Sequence, residues 1–198
     1  GPILKNGDLD NPALARHFSP AIMSYHGIQY QSMAPEVMDA EQLAWLQSHL
    51  WILSGLYGCV RPFHAVEPYR LEMGAKLVVD GARDLYAFWS DKLARAIAPA
   101  GSNTTIVNLA SVEYAKAVLP HLAGDATAVT CLFGEGIRNG KPIQRSTASK
   151  KARGSMVRWM AENKLEDASE LTAFNIGYRH IPELSDKNPL VFMNAQAL

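Results

Sequence analysis

The feature that most limits what this chain can fold into is residues 49–74, H-L-W-I-L-S-G-L-Y-G-C-V-R-P-F-H-A-V-E-P-Y-R-L-E-M-G. A short apolar run, residues 50–53, leads into two glycines, Gly55 and Gly58. Two prolines follow, Pro62 and Pro68, each beside an arginine or an aromatic residue. Glycine admits positive φ or close backbone approach, while proline fixes φ and drives its predecessor out of the helical region, so no single regular element can cover this stretch. It reads as a buried strand running into an ordered, irregular crossing from which Arg61, Tyr69, Arg70 and Glu72 project. Ordered loops that carry charge are more often sites than helix faces are. The alternative reading is that Arg70 and Glu72 pair with neighbours and simply hold the loop.

The flanks alternate between helix and strand patterns. Residues 1–20 are weakly patterned, with a short helix over 13–18, and residues 21–198 read as one domain. Residues 23–33 suggest a strand broken at Gly27. Asp39 and Gln42 have capping-box spacing, and Leu43, Leu46 and Leu50 share a face, which predicts a helix over 40–49. A short strand over 76–79 should meet a turn at Asp80-Gly81. Residues 84–98 give the clearest amphipathic helix, closed by Pro99 and Gly101. A β-branched strand over 105–109 precedes a helix to Leu119 with Ser111 at its N-cap. A further strand over 127–133, an Asn139-Gly140 hairpin with its partner over 141–145, a helix over 148–163, a short helix near Glu170 and a closing strand over 190–193 complete the pattern. The connection from the strand in the 50s to the one near 105 contains a whole helix, as a parallel crossover would. The fold class expected is α+β (mixed α/β), a single mixed sheet flanked by helices.

Composition matters mainly for what it excludes. Nineteen Lys and Arg balance nineteen Asp and Glu, so attraction to nucleic acid has to come from a local patch rather than from net charge. Two distant cysteines, Cys59 and Cys131, fit a reducing compartment, and with no membrane-length apolar run the expected location is the cytoplasm with no membrane partner. His49, His64 and Cys59 lie near one another in sequence but have no carboxylate at ligand spacing, so no metal and no cofactor is expected. The dinucleotide, P-loop, zinc-protease and nucleophile-elbow patterns are missing.

Two constellations have chemical potential. K-K-A-R-G opens the helix over 148–163. On a helical wheel, Ala148, Ala152, Met156, Trp159 and Met160 make an apolar stripe, and Lys150, Lys151, Arg153 and Arg158 fall opposite it with Gly154 among them. Cations in the first turns oppose the helix dipole, which makes a phosphate the natural counterion; the alternative is a solvated basic face. N-L-A-S-x-E-Y, residues 108–114, sets polar side chains at the carboxyl end of a strand, where open α/β sheets bind ligands. There Glu113 and Tyr114 could handle protons, or could merely suit the helix dipole and pack.

The motifs L-S-G-L-Y-G-x-x-R-P, P-Y-R-L-E-M-G, L-Y-x-F-W-x-D, N-L-A-S-x-E-Y and K-K-A-R-G, in this order, resemble the YaaA family of bacterial peroxide-stress proteins, over roughly residues 21–192. The resemblance implies a cytoplasmic protein of mixed α/β fold that supports peroxide resistance, limits iron-driven oxidative damage and binds DNA in a basic cleft. In fuller members it also implies a helix-hairpin-helix. Carried over by motif, the nucleic-acid-binding candidates are Arg61, Arg70, Lys150, Lys151, Arg153 and Arg158, making phosphate contacts to double-stranded DNA. The family's opening S-P-A-K is not found, and the chain is short of about the first quarter of the family pattern, where the helix-hairpin-helix lies. G-D-x-Y appears as Gly27-Ile28-Gln29-Tyr30 and R-P-L-D as Arg61-Pro62-Phe63-His64, each without its Asp, which weakens any acid–base or metal chemistry that uses those carboxylates.

The leading expectation is a peroxide-stress protein that binds DNA. The alternative is an enzyme of unknown reaction on an anionic small molecule, with Arg70 clamping substrate and Glu72, Glu113 or Tyr114 moving protons. A third reading is a protein partner or homo-oligomer that uses an uncovered sheet edge.

Overall fold

The computed structural model of the chain describes residues 18–186 and 188–197. Most of the helix expected over 13–18 lies outside the described residues. Two compact units are formed. The first gathers the described residues up to Tyr25, Ala44–Ser102 and Ala110–Asp125, and the second takes His26–Leu43, Asn103–Leu109 and the described residues from Ala126 onward.

In the first unit, β1 (Ser19–Pro20) pairs antiparallel with β4 (Ala65–Val66), and β2 (Ile52–Ser54) pairs antiparallel with β3 (Gly58–Val60). The tight β2–β3 return is possible because Gly58 has φ 76 and because a Cβ there would stand 2.8 Å from Trp89 and Leu93. Helix α1 (Ala21–Ser24) follows β1. Helices α4 (Leu85–Trp89) and α5 (Lys92–Ile97) replace the single helix expected over 84–98. Asp84 caps α4 by accepting the Ala87 N–H, but Ser90 takes φ 47 and breaks the path. The core here is Met73, Leu85, Leu93, Ala94, Ala117 and Val118, with Leu53, Leu71, Trp89 and Tyr114 packed against it. Helix α6 is only Val112–Ala115, and Ser111 stands at its N-cap without a side-chain capping bond. The strand expected over 76–79 does not form. A lone bridge joins Val79 to Ala82 around the positive-φ pair Asp80-Gly81, Val78 stays 71% exposed, and among the described residues no further strand pairs with this segment.

The second unit contains the mixed sheet, ordered β5 (Thr105–Asn108), β6 (Thr127–Gly134), β10 (Leu190–Asn194), β9 (Tyr178–His180). β6 runs parallel to both β5 and β10, and β9 runs antiparallel to β10. The α+β class is as expected, but the strands are divided among this sheet and three two-stranded ribbons rather than one sheet. The strand in the 50s therefore makes no parallel crossover to β5; its partner is the adjacent β3. β10 is an interior strand, and β9, which the sequence pattern does not announce, forms the outer one. The third ribbon is the hairpin β7 (Ile137–Arg138) and β8 (Lys141–Pro142), whose turn residues Asn139 and Gly140 have φ 53 and 73, as a type I′ turn requires. Its second strand stops at Pro142, short of Arg145.

Residues 23–33 are helical rather than extended. Beyond Gly27, α2 (Ile28–Met33) packs against the long α7 (Ser146–Glu162). A Cβ on Gly154 would lie 2.0 Å from the Gln29 carbonyl oxygen, so the glycine is what lets the two backbones meet. Both sides of α7 are thereby covered: Ala152 and Met156 on one, Gly154, Val157 and Ala161 on the other. Around the sheet, Phe133, Phe174, Phe192, Trp159 and Tyr178 form one aromatic cluster. Helix α3 (Ala40–His49) starts at the expected capping box: the Gln42 N–H donates to Asp39 Oδ1 at 2.8 Å and the Asp39 N–H to Gln42 Oε1 at 3.1 Å. Among the described residues no helix is long and apolar enough to cross a membrane.

Candidate functional site

In the first unit, three of the motifs come together around Ser54, which is fully buried at the end of β2. Its Oγ accepts the Tyr57 N–H at 2.9 Å and shares a short hydrogen bond with the Tyr69 hydroxyl. Tyr69 in turn shares a hydrogen bond of 3.1 Å with the Tyr25 hydroxyl, and its ring is met edge-on by both Tyr25 and Tyr57. The Tyr57 hydroxyl accepts the Glu67 N–H at 3.0 Å. Gly55, in the turn, allows residues 71 and 72 to pass close by, since a Cβ there would stand 2.7 Å from the Leu71 carbonyl oxygen.

Glu113 ties the third motif to the second. It accepts the Gly74 N–H on Oε1 at 2.7 Å, and its own carbonyl accepts the Tyr86 hydroxyl at 3.1 Å. Burial, reinforced by the Tyr69 phenol and the Glu113 and Glu72 carboxylates, holds the Tyr114 phenol above the usual tyrosine range, against a Met73 backbone N–H that favours its anion. Tyr114, Glu113 and Glu72 are thus neighbours in one unit. Arg70 and Glu72 are exposed, and among the described residues neither side chain has a hydrogen-bond or ion-pair partner.

Arg61 is already engaged. Its Nη1 donates to the carbonyls of Ser48 at 2.9 Å and Leu50 at 3.3 Å, closing the C-terminal end of α3, and its guanidinium lies 3.8 Å from the centre of the Trp51 ring. Burial lowers its pKa below the ordinary arginine value, and it lowers that of His64 as well.

The second unit carries the other four cations. Lys150 and Lys151 are exposed and unpaired among the described residues, whereas Arg158 Nε pairs with Glu162 Oε1 at 2.7 Å. Arg153 is half-buried with an Nε that finds no partner among the described residues, and burial lowers its pKa. The wheel face opposite the apolar stripe is therefore not wholly solvated, because α2 crosses it at Gly154. A signal that motif reading passes over lies in the charge order: between Glu135 and Glu162 there are seven Lys and Arg and no acidic residue. The β7–β8 register sets Arg138 directly opposite Lys141, and α7 begins at an uncapped Arg145 with no acid in its first turn. Like charges facing across a ribbon and cations at a helix N-terminus both cost stability without a counterion.

Behind this run, Glu135 accepts the Tyr178 hydroxyl on one oxygen and Asn194 Nδ2 on the other at 3.0 Å, which raises the Tyr178 phenol, burial being the larger cause. Among the described residues no three His, Cys, Asp or Glu side chains gather as a metal site.

A sequence profile of the family described as "Peroxide stress protein YaaA" matches residues 4–184. A UPF0246 protein of Desulfitobacterium hafniense (strain Y51) is 45% identical over 185 residues, covering 93% of this chain and 72% of its own length. One from Pediococcus pentosaceus is 48% identical over 181 residues, covering 91% and 71%. A third, from Limosilactobacillus reuteri (strain DSM 20016), is 44% identical over 180 residues, covering 90% and 71%. With the motifs that meet around Ser54 and the profile running through nearly all of its length, the chain belongs to the YaaA family of peroxide stress proteins.

Proposed function

We propose that this protein serves in peroxide stress by binding double-stranded DNA through phosphate contacts and so limits iron-driven damage to it. One observation carries the reading: the acid-free run from Arg138 to Arg158, with the exposed Lys150 and Lys151, unpaired among the described residues, at the uncapped start of α7. Phosphate oxygens would meet the free N–H groups and the cations together, which relieves a charge arrangement otherwise unfavourable within the fold. Arg70, exposed in the first unit, is a further contact. Arg61 and Arg158 are weaker candidates, since each already has partners in the chain.

The test is duplex binding by fluorescence anisotropy over a range of salt. Affinity should fall steeply as salt rises, and Lys150, Lys151 and Arg153 changed together to Ala should abolish most of it. Binding that ignores salt, or survives the triple change, refutes the reading. A plasmid-nicking assay with ferrous ion and peroxide tests the protective role, because the same triple variant should lose any protection the parent gives.

A second reading, an enzyme acting on an anionic small molecule, rests on the gathering of Tyr114, Glu113 and Glu72 in the unit that also holds Arg70. Metabolite-extract turnover lost in Tyr114→Phe but kept in the Lys150/Lys151/Arg153 variant would favour it.

A further inference from the structure

We infer that the β7–β8 ribbon is a finger that enters the major groove of duplex DNA tip first; this rests on the duplex-binding reading and adds contact with base edges to it. β6 leads through Gly134 into the ribbon, and the base of the ribbon is firmly held. The Glu135 N–H donates to the Ile143 carbonyl at 2.8 Å, and the Ile143 N–H donates to the Gly136 carbonyl at 2.8 Å. The Glu135 carboxylate is gripped by Tyr178 of β9 and Asn194 of β10. Gly134 leaves the room in which Pro142 and the buried Met193 sit, since a Cβ there would stand 2.9 Å from Pro142 Cβ and closer still to Met193 Sδ. Beyond that base every residue from Ile137 to Lys141 is exposed, and the side chains of Arg138 and Lys141 have no hydrogen-bond or ion-pair partner among the described residues.

Charge and dimensions select the occupant. A solvated turn gains nothing from two cations set directly opposite one another, because like charges across a ribbon repel. A polyanion removes that cost, and no acidic residue intervenes between the ribbon and the cations of α7, which begins shortly after it at Ser146. The reach from Gly136 to Asn139, at ~3.4 Å per residue, is about 10 Å. The major groove is about 8.5 Å deep and about 12 Å wide, enough for a two-stranded ribbon, whereas the minor groove, about 6 Å wide, does not admit one with side chains on both faces. The register puts Arg138 and Lys141 on one face and Ile137, 52% exposed, on the other. Each suits a group that only the major groove displays: guanine O6 and N7 for the cations, and the thymine methyl for the isoleucine. Lys150 and Lys151 on the phosphates would fix the register of the finger.

Three G-rich duplexes of one sequence separate the two grooves in fluorescence anisotropy with the full chain. One is unmodified, one carries 7-deazaguanine, which lacks the major-groove N7 acceptor, and one carries hypoxanthine for guanine, which lacks the minor-groove amino group. The phosphates are the same in all three. The parent should bind the 7-deazaguanine duplex about fivefold or more weakly, and the hypoxanthine duplex within about twofold of the unmodified one. R138A/K141A should bind the unmodified duplex more weakly than the parent does and should no longer tell the three apart. Both substituted side chains are exposed, so this variant should melt with the parent, and the comparison of duplexes needs the parent alone. Equal binding of the parent to all three, weakening by hypoxanthine instead, or discrimination that survives in R138A/K141A would each overturn the assignment of the ribbon while leaving phosphate binding in place. A parent that binds no duplex at all would remove both.

Discussion

Gly154 of α7 lies against the backbone of Gln29 in α2, so close that a Cβ would stand 2.0 Å from the Gln29 carbonyl oxygen and 3.0 Å from the Met33 nitrogen. The obstruction is main chain on both counts, which no rotamer change can relieve. Gly154→Ala should therefore push two helices apart and cost about 1–3 kcal/mol, despite the better helix propensity of alanine. Urea denaturation of the two proteins measures it, and an unchanged midpoint would show that the helices do not meet there.

Arg61 should behave as a structural residue and not as a phosphate ligand. Its substitution by Met removes two hydrogen bonds to carbonyls at the end of α3 and the stacking on Trp51, at a cost of about 1–3 kcal/mol. Arg61→Lys should recover little of this, since an ammonium cannot reproduce the planar fork. Neither change should alter the salt dependence of DNA binding. A shallower dependence with normal stability would return Arg61 to the interface.

Lys150 and Lys151 should differ from Arg158 in the opposite sense. Removing both lysines should flatten the slope of log affinity against log salt by about 2, near 0.9 for each phosphate that is no longer neutralised, with stability unaffected. Arg158→Ala should leave that slope nearly intact, because its guanidinium is tied to Glu162. Equal effects from both changes would mean that the ion pair opens to meet DNA.

Cys131 predicts an alkaline weakness. Burial in β6 pushes its thiol up to about 12, and a cysteine in the unfolded chain ionises near ~8.5. Between those values the unfolded chain has released a proton that the folded chain retains. Stability is therefore fully present below the lower value and drains away above it, by up to ~1.4 kcal/mol per pH unit. Cys131→Ala should lose this slope in denaturant titrations across the alkaline range. Cys59 is also raised by burial, with Arg61 acting in the opposite sense, so both thiols should react slowly with a disulfide reagent until the chain is unfolded.

Local chemistry was the part of the fold legible in the sequence. The Asp39/Gln42 capping box, the Asn139-Gly140 turn and the β-branched strands at 105 and 127 all depend on residues within a few positions of one another, and all formed. The errors arose where distant contacts decided. Residues 23–33 read as a strand broken at Gly27, and it is Gly154, far along the chain, that offers a helix somewhere to lie. Residues 76–79 have strand composition and, among the described residues, no neighbouring strand to pair with. The candidate site divides the same way. The motifs that contain Ser54, Tyr69 and Glu113 were readable as a resemblance but their meeting was not, and the role of Arg61 turned on two carbonyls that no side-chain pattern announces. The acid-free run before Glu162 is visible in one dimension.

The crossing that follows Val66 combines firm side-chain anchorage with amides that no carbonyl of the described chain shields. Immobility and protection usually go together, because in helices and sheets the same ladder provides both. Here they separate. The tyrosine at its centre is pinned through its hydroxyl by Ser54 and Tyr25, yet the peptide protons at 69, 70 and 71 should exchange with solvent deuterium faster than those of the strands before them, in a segment that order parameters should report as still.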